Sequence, residues 1–331
     1  DSKNQDLMLK EIGCKSLKDL LKSTLPNNIL QNDSLDIPFL DTEIEMLDEM
    51  SALSRTNKNF KSYIGMGYYN NITPSVIHRN MIQDPGWYTA YTPYQPEISQ
   101  GRLEMLMNFQ QLIIDMTKLD VANASLLDEG TAAAEAMTLC FRQAFDKNKN
   151  TYLVHSLCHP QTISVIKTRA KPLNIKIKLC DEFKELDLKR CFGILFQYPD
   201  TFGHLSDLEN LIKICHKNKT LVCVATDLLS LALLKPPGEM DADVVLGNSQ
   251  RFGTPLGFGG PHAAFFATKN KFIRSMPGRI IGVTIDKREK NTYRMILQTR
   301  EQHIRRDKAT SNICTSQALL ANVSAAYAVY L

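Results

Sequence analysis

The stretch "GNSQRFGTPLGFGGPH" (Gly247–His262) is a glycine-rich loop between two apolar runs of strand character. Glycines let backbone approach a ligand closely, and the loop carries two side chains with chemistry to offer, Arg251 and His262. A guanidinium binds anions well. It does not lose its proton in the accessible pH range, so it cannot attack a carbonyl as a lysine amine does. The glycines miss the G-x-G-x-x-G spacing and open no helix, which argues against a dinucleotide site. Three further places invite attention. Gly130 and Thr131 stand at the entrance of an alanine-rich helix in "LDEGTAAAEA" (Leu127–Ala136), either an anion site at free N–H groups or a helix start packed tightly on its neighbours. "HSLCHP" holds His155, Cys158 and His159. Zinc would want a second ligand pair at short spacing, and none is present; a His159 that stacks on an aromatic ring suits its place after a strand. Asp227 closes the strand "LVCVATD", where it either caps the following "LLSLALL" or meets a ligand at the carboxyl end of the sheet.

The elements that must position these residues are legible in outline. Residues 5–60 read as short helices broken at "PNN" and "DIP", with an acidic first turn in "DTEIEMLDEMSALSR". From Ser62 to Gln100 the chain is rich in Tyr, Pro, Gly and Asn, with one helix start expected at Thr73 (N-cap) and Pro74 (first helical position). Leu103, Leu106, Met107, Gln110, Ile113 and Ile114 mark the inner face of a long amphipathic helix. After "TAAAEAMTLCFRQAF", strand-like and helix-like runs alternate: "TYLVHS", "PQTISVIKTRAK", "IKIKLC", "CFGILFQYP", "LSDLENLIKICHKN", "TLVCVATD", "ADVVLGN" and "HAAFFATK". Alternation of this kind predicts an α/β domain with a mostly parallel sheet covered on both faces. At its strand ends, Asp227 is suited to keep a pyridinium nitrogen protonated, which is what pyridoxal phosphate needs as an electron sink.

Bulk properties narrow the classes further. The chain has 331 residues, 44% hydrophobic and 22% charged, enough for one large core. A net charge of +4 does not argue for nucleic acid, and "REQHIRRDK" lacks interleaved aromatics. No apolar run is long enough to span a bilayer. The eight cysteines lack regular spacing and several sit in apolar runs, which suits reduced thiols in a reducing compartment. A final helix still running at Leu331 leads us to expect that the natural chain continues.

The order of a Gly-Thr helix entrance, a His after the next strand, an Asp at a later strand end and a Gly-rich loop resembles fold-type I pyridoxal phosphate enzymes. Within them, "SYIGMGYYN", "YTPYQPEISQGRLE", "NASLLDEGTAAAEA", "CHPQT", "LFQYPDT", "GNSQRFG", "PLGFGGPHAAFF", "MPGRIIGVT" and "QTREQHIRRDKATSNICTSQALLAN" are similar to the P-protein family of the glycine cleavage system, specifically its N-terminal half. The resemblance implies a fold-type I large domain over 62–299, preceded by a helical arm over 1–61 and followed at 300–331 by the start of a small C-terminal domain. It implies glycine decarboxylation with transfer of the aminomethyl group to lipoylated H-protein. It places the lysine that carries pyridoxal 5'-phosphate in the C-terminal half, fused or separate. Here the corresponding position is Arg251, so this half alone is expected to be inactive, with Gly130, Thr131, His159 and Asp227 as vestiges of a cofactor site. Since the family's sites lie at subunit interfaces, Tyr91, Tyr94, Gln95, Glu97, Ser99 and Gln100, with Arg251 and His262, are the candidates to reach the competent half. A homodimer or heterotetramer is implied, in the mitochondrial matrix if the source is eukaryotic and in the cytoplasm if bacterial. Two alternatives stay open: an autonomous pyridoxal phosphate enzyme such as an aminotransferase or desulfurase, using Lys235, and a purely structural pseudo-subunit.

Overall fold

The computed structural model describes residues 2–31, 33, 36–58, 60–89, 92–146, 148–181, 188–310 and 317–331. The chain divides into a unit Asp1–Lys61 and a unit Ser62–Leu331. The first consists of helices α1 (Ser2–Ile12), α2 (Leu17–Thr24) and α3 (Glu43–Thr56). The acidic start of α3 is completed by a capping box: Thr42 accepts from the Glu45 N–H, and the Glu45 carboxylate accepts from the Thr42 N–H.

In the second unit, α4 (Ser75–Ile77) runs into a π turn (His78–Ile82) and is followed by α5 (Gln100–Thr117). Thr73 does not cap α4 as its type suggested. Pro74 takes the capping position, and the Thr73 hydroxyl donates to the Gly253 carbonyl at 2.6 Å, a tertiary bond that outcompetes the local one. Along α5, Leu103, Leu106, Gln110 and Ile113 are buried as their spacing required, while Met107 and Ile114 are half-buried.

A seven-stranded sheet follows: β1 (Val121–Ala122), β2 (Thr151–His155), β3 (Lys176–Cys180), β4 (Cys191–Tyr198), β5 (Leu221–Asp227), β6 (Val244–Asn248) and β7 (Ala264–Thr268), in the order β1-β7-β6-β5-β4-β2-β3. Strands β3, β2, β4, β5 and β6 are parallel, and β7 is antiparallel to both its neighbours. Helices α6 (Glu129–Gln143), α7 (Pro160–Ala170) and α8 (Leu208–Lys217) alternate with the strands. Because both faces are covered, the central strands are apolar at successive positions. In β5, Val222 and Val224 join the core shared with α5 and α8, whereas Cys223 and Ala225 face the core shared with α6 and α7. The edge strand β3 is blunted by Lys176 and Lys178.

The hairpin β8 (Ile280–Ile285)–β9 (Asn291–Ile296) was not anticipated; its outer positions are exposed and its alternation is interrupted by charges. Beyond it come the short α9 (Gln302–Arg305) and α10 (Ala318–Tyr330). Within the segment 300–331, expected to open a small C-terminal domain, Ala321 and Ala325 of α10 share the core that holds Leu103 and Phe109 of α5.

Candidate functional site

The carboxyl ends of β2, β4, β5 and β6 converge on one edge of the sheet, and the singled-out residues gather there. Asp227 does both things its position allowed. Oδ1 accepts the Leu229 N–H at 3.1 Å, capping the 3-10 turn Leu228–Ala232, and Oδ2 takes the Arg251 guanidinium in a short ion pair. The guanidinium also lies over the Tyr69 ring, 5.0 Å from its centroid.

Gly130 and Thr131 fall in the first turn of α6, whose N-cap is Asp128. The Asp128 carboxylate accepts the Thr131 N–H at 2.7 Å, so an acid of the chain already occupies the anion-seeking end of the helix. Gly130 serves close packing: a Cβ there would stand 3.1 Å from Val165 of α7. Beside it Glu129 is buried, at 3.3 Å from Asn248 Nδ2 and 3.4 Å from Thr162 Oγ1. Burial outweighs these hydrogen bonds and pushes its pKa up to about 7.

His159 precedes α7 and is buried, with Nδ1 3.1 Å from the Thr201 hydroxyl and its pKa lowered chiefly by burial. The backbone of Gly67 packs against the imidazole. A Cβ at Gly67 would meet His159 Nε2 at 2.9 Å, and its φ of +87° is one that side chains rarely adopt. His262 meets Tyr68: Nε2 is 3.2 Å from the hydroxyl and the rings are 4.9 Å apart, edge to face. Burial lowers the His262 pKa and raises that of Tyr68, the latter also raised by Glu129 and Asp128.

Residues 68–73 are stitched to the glycine-rich loop through Gln250. Its side chain accepts from the Tyr69 N–H and donates to the carbonyls of Tyr69 and Thr254 at 2.9 and 2.7 Å. Asn71 donates to the carbonyls of Gln250 and Thr254. Residues 62–70 and this loop, with Gln161, line an open, mostly apolar cleft of about 760 Å³ walled by Ile64, Met66, Tyr68, Leu256, Phe258 and His262. Type and position in the sequence pointed to Arg251 and His262. Tyr68, Gly67, Gln250 and Glu129 went unnoticed because their roles depend on partners distant in the chain. The "Q-R" pair beside a glycine-rich loop was the one available signal for Gln250.

The expected partner-facing residues divide. Tyr91 lies outside the described residues. Tyr94 is buried in the core under the Arg279 guanidinium, 4.5 Å from its ring centroid. Ser99 is buried and receives a 2.6 Å hydrogen bond from Arg102. Gln100 ties the start of α5 to β9, accepting from the Tyr293 N–H and the Thr292 hydroxyl and donating to the Tyr293 carbonyl. Gln95 and Glu97 are exposed. Lys235, the lysine of the rival reading, is exposed and paired with Glu209 at 2.6 Å, which holds its pKa up; an ammonium so held is a poor nucleophile.

The positions expected for a pyridoxal phosphate are taken up within the chain: Asp227 pairs with Arg251, the Thr131 N–H with the Asp128 carboxylate, and Gly67 packs against His159.

Comparison with known proteins agrees with the architecture. The family model described as "Glycine cleavage system P-protein" matches residues 1–331. Glycine dehydrogenase (decarboxylating) of Pelagibacter ubique is 58% identical over 326 residues, 98% of this chain and 34% of that protein. The protein of the same name from Photobacterium profundum is 56% identical, again over 98% and 34%. The chain therefore spans about a third of the length of these curated relatives. The crystal structure of glycine decarboxylase (P-protein) in inhibitor-bound form matches with a TM-score of 0.88 at 35% identity, covering 98% of this chain and 75% of that one. A C-DES structure with glycine covalently linked to its pyridoxal phosphate cofactor shares the fold at a TM-score of 0.53 and 13% identity. The fold shared with glycine decarboxylase and a family match running the whole length agree: the chain belongs to the glycine cleavage system P-protein family.

Proposed function

We propose that this chain is the non-catalytic N-terminal half of a glycine dehydrogenase (decarboxylating), whose carboxyl-edge face completes a site held by the other half. Pyridoxal 5'-phosphate, carried covalently by that half, supplies the chemistry that releases the glycine carboxylate as carbon dioxide. The aminomethyl group then passes to the lipoyl arm of H-protein. This chain binds and shapes; it contributes no covalent step. The observation that carries the reading is the self-filled strand-end site, in which Arg251, Asp128 and Gly67 satisfy the groups a cofactor would use.

Around that filled site the chain exposes a rim of large apolar side chains. Tyr63, Phe202, Leu233 and Phe258 are 89%, 72%, 93% and 97% exposed, on the cleft-lining segment and on loops that follow β4, β5 and β6. Apolar surface of this kind marks a surface made to be covered, and relatives about three times as long supply the polypeptide to cover it. The exposed Gln95 and Glu97 are the members of the 91–100 group positioned to touch that polypeptide, with Tyr94, Ser99 and Gln100 holding the loop in place. The relatives reported are bacterial, and they lend no support to the mitochondrial expectation.

The test is a full-length protein carrying Gln95→Ala with Glu97→Ala, and separately Phe258→Ser, assayed for glycine-dependent carbon dioxide release with H-protein. We expect kcat/KM to fall by about tenfold or more, as loss of one or two positioned contacts gives, with thermal stability within a degree or two of wild type. Unchanged turnover in all of these variants would leave the chain a purely structural half and overturn the proposal.

A further inference from the structure

A second cavity, of about 260 Å³, opens to solvent at the amino edge of the parallel strands. Leu221 lines it, and the seven residues of β5 run from there to Asp227, so roughly 20 Å separate it from the strand-end site. Three stretches of chain supply its charged side chains. His216 and Lys219 come from the end of α8 and the turn into β5, Asp241 and Asp243 from the approach to β6, and Lys269 and Lys271 from the chain after β7. Much of that charge is matched inside the cavity. The Asp243 carboxylate, 2% exposed, accepts from the Val222 N–H at 3.0 Å and lies 2.8 Å from His216 Nε2. Asp241 faces the other ring nitrogen, Nδ1, at 3.2 Å. Lys269 Nζ donates to the Asp241 carbonyl at 2.9 Å and to its carboxylate at 2.6 Å, and lies 3.4 Å from Asp243 Oδ1. Lys271 and Lys219 keep donors to give. Lys271 Nζ is 3.5 Å from Asp243 Oδ1, longer than a good hydrogen bond, and the side chain is 56% exposed. Lys219 has no side-chain hydrogen bond or ion pair among the described residues. Its φ is +55°, a conformation that glycine takes more readily at a helix end. A helix C-terminus attracts cations, which accounts for His216 and Lys217 in the last turn of α8. It does not account for Lys271, which is brought in from beyond β7.

We propose that this cavity binds the phosphate of a phosphomonoester, with Lys219 and Lys271 as its ligands and the Asp241–His216–Asp243 frame holding the walls in place. Three lysines and a histidine face two carboxylates there, and the positive balance suits a dianion better than a single carboxylate. Lysine ammoniums serve phosphate as compact charges with rotatable N–H donors. The cavity is smaller than the roughly 300–1,000 Å³ of sites that enclose a drug-sized ligand, so it admits the phosphate and leaves the rest of the molecule outside. Phe145, on the cavity wall and 70% exposed, offers that remainder an aromatic face on which a planar base can stack. The assignment stands apart from the role proposed for the carboxyl edge.

Binding is measured by calorimetry at low salt on the full-length protein with its cofactor in place, using inorganic phosphate, adenosine 5'-monophosphate and adenosine as probes. Phosphate is expected to bind saturably, and adenosine not at all. The monophosphate should bind about fivefold or more tightly than phosphate, as the stacking of one base gives. Lys219→Gly suits the backbone at that position and keeps the fold; it and Lys271→Gln should each weaken phosphate by about tenfold or more. Phe145→Ala should bring the monophosphate down to the affinity of phosphate and leave phosphate unchanged. No saturable phosphate binding to the wild type would overturn the proposal, and so would binding that neither lysine variant alters. Phosphate and monophosphate of equal affinity, both insensitive to Phe145→Ala, would overturn the monoester assignment in favour of free phosphate.

Discussion

At the scale of single residues, Glu129 is the most heavily perturbed acid of the strand-end site. Its pKa is raised from 4.5 to about 7, with burial as the main cause. An acid whose folded pKa lies above its unfolded value binds more protons when folded, so its contribution is fully present below about pH 4.5 and is lost as pH rises through about 7. Glu129→Gln, which keeps an amide to hydrogen-bond, should therefore remove a decline in stability across that window. At about 1.4 kcal/mol per pKa unit the effect is at most on the order of 3 kcal/mol. Urea unfolding of wild type and variant near pH 5 and near pH 8 checks it, and parallel pH profiles would show that Glu129 is not the titrating group. Arg251 invites a second experiment. Arg251→Lys restores the residue type that could carry the cofactor, yet the Thr131 N–H is still taken by Asp128 and His159 is still packed against Gly67. We expect no reducible adduct at position 251 after incubation with pyridoxal phosphate and borohydride, read by intact mass and peptide mapping.

At the scale of elements, what holds the site is the seam between residues 67–73 and the loop after β6. Gly67→Ala adds a Cβ 2.9 Å from His159 at a φ of +87°, so it meets both a clash and an unfavourable backbone. Gly259→Ala meets only the backbone term, since its φ is +83° and nothing lies within 4 Å. We expect a loss of about 1 kcal/mol for Gly259→Ala, and roughly 2 to 3 kcal/mol for Gly67→Ala once the clash is added. Equal losses in denaturant titrations would mean that the His159 contact carries no weight. A different seam joins α5 to the hairpin. Gln100→Ala removes three side-chain hydrogen bonds to Thr292 and Tyr293. It should cost about 1 to 3 kcal/mol and speed amide exchange in β8 and β9 ahead of the central strands.

At the scale of the whole molecule, the charged groups singled out on the carboxyl edge of the sheet bond within the chain, while large apolar side chains there are exposed. Arg251, Asp227, Asp128 and Gln250 bond within the chain, while Phe258, Leu233 and Tyr63 face solvent. A surface with that balance seeks association by burial rather than by charge. The isolated chain should therefore self-associate or bind a hydrophobic dye, with little response to salt. Phe258→Ser with Leu233→Ser should reduce both. Sedimentation velocity at low and high salt is the measurement, and a monodisperse monomer that ignores the dye would contradict it.

The sequence by itself determined the α/β class, the strands β2 to β7 and the inner face of α5, because apolar periodicity and strand–helix alternation are local properties read without knowing what lies across the sheet. It also marked Arg251 as a residue that cannot do a lysine's work, which follows from the guanidinium alone. Only the tertiary structure decided what those residues do instead. That Arg251 covers Asp227, that Asp128 caps the helix of Gly130 and Thr131, and that Gly67 lies against His159 are pairings between segments far apart in the chain. The same holds for Tyr94, Ser99 and Gln100, whose types suggested a contact surface and whose packing or hydrogen bonds within the chain made them supports. A side chain's type states which bonds it can make, and only packing states which partner comes within reach.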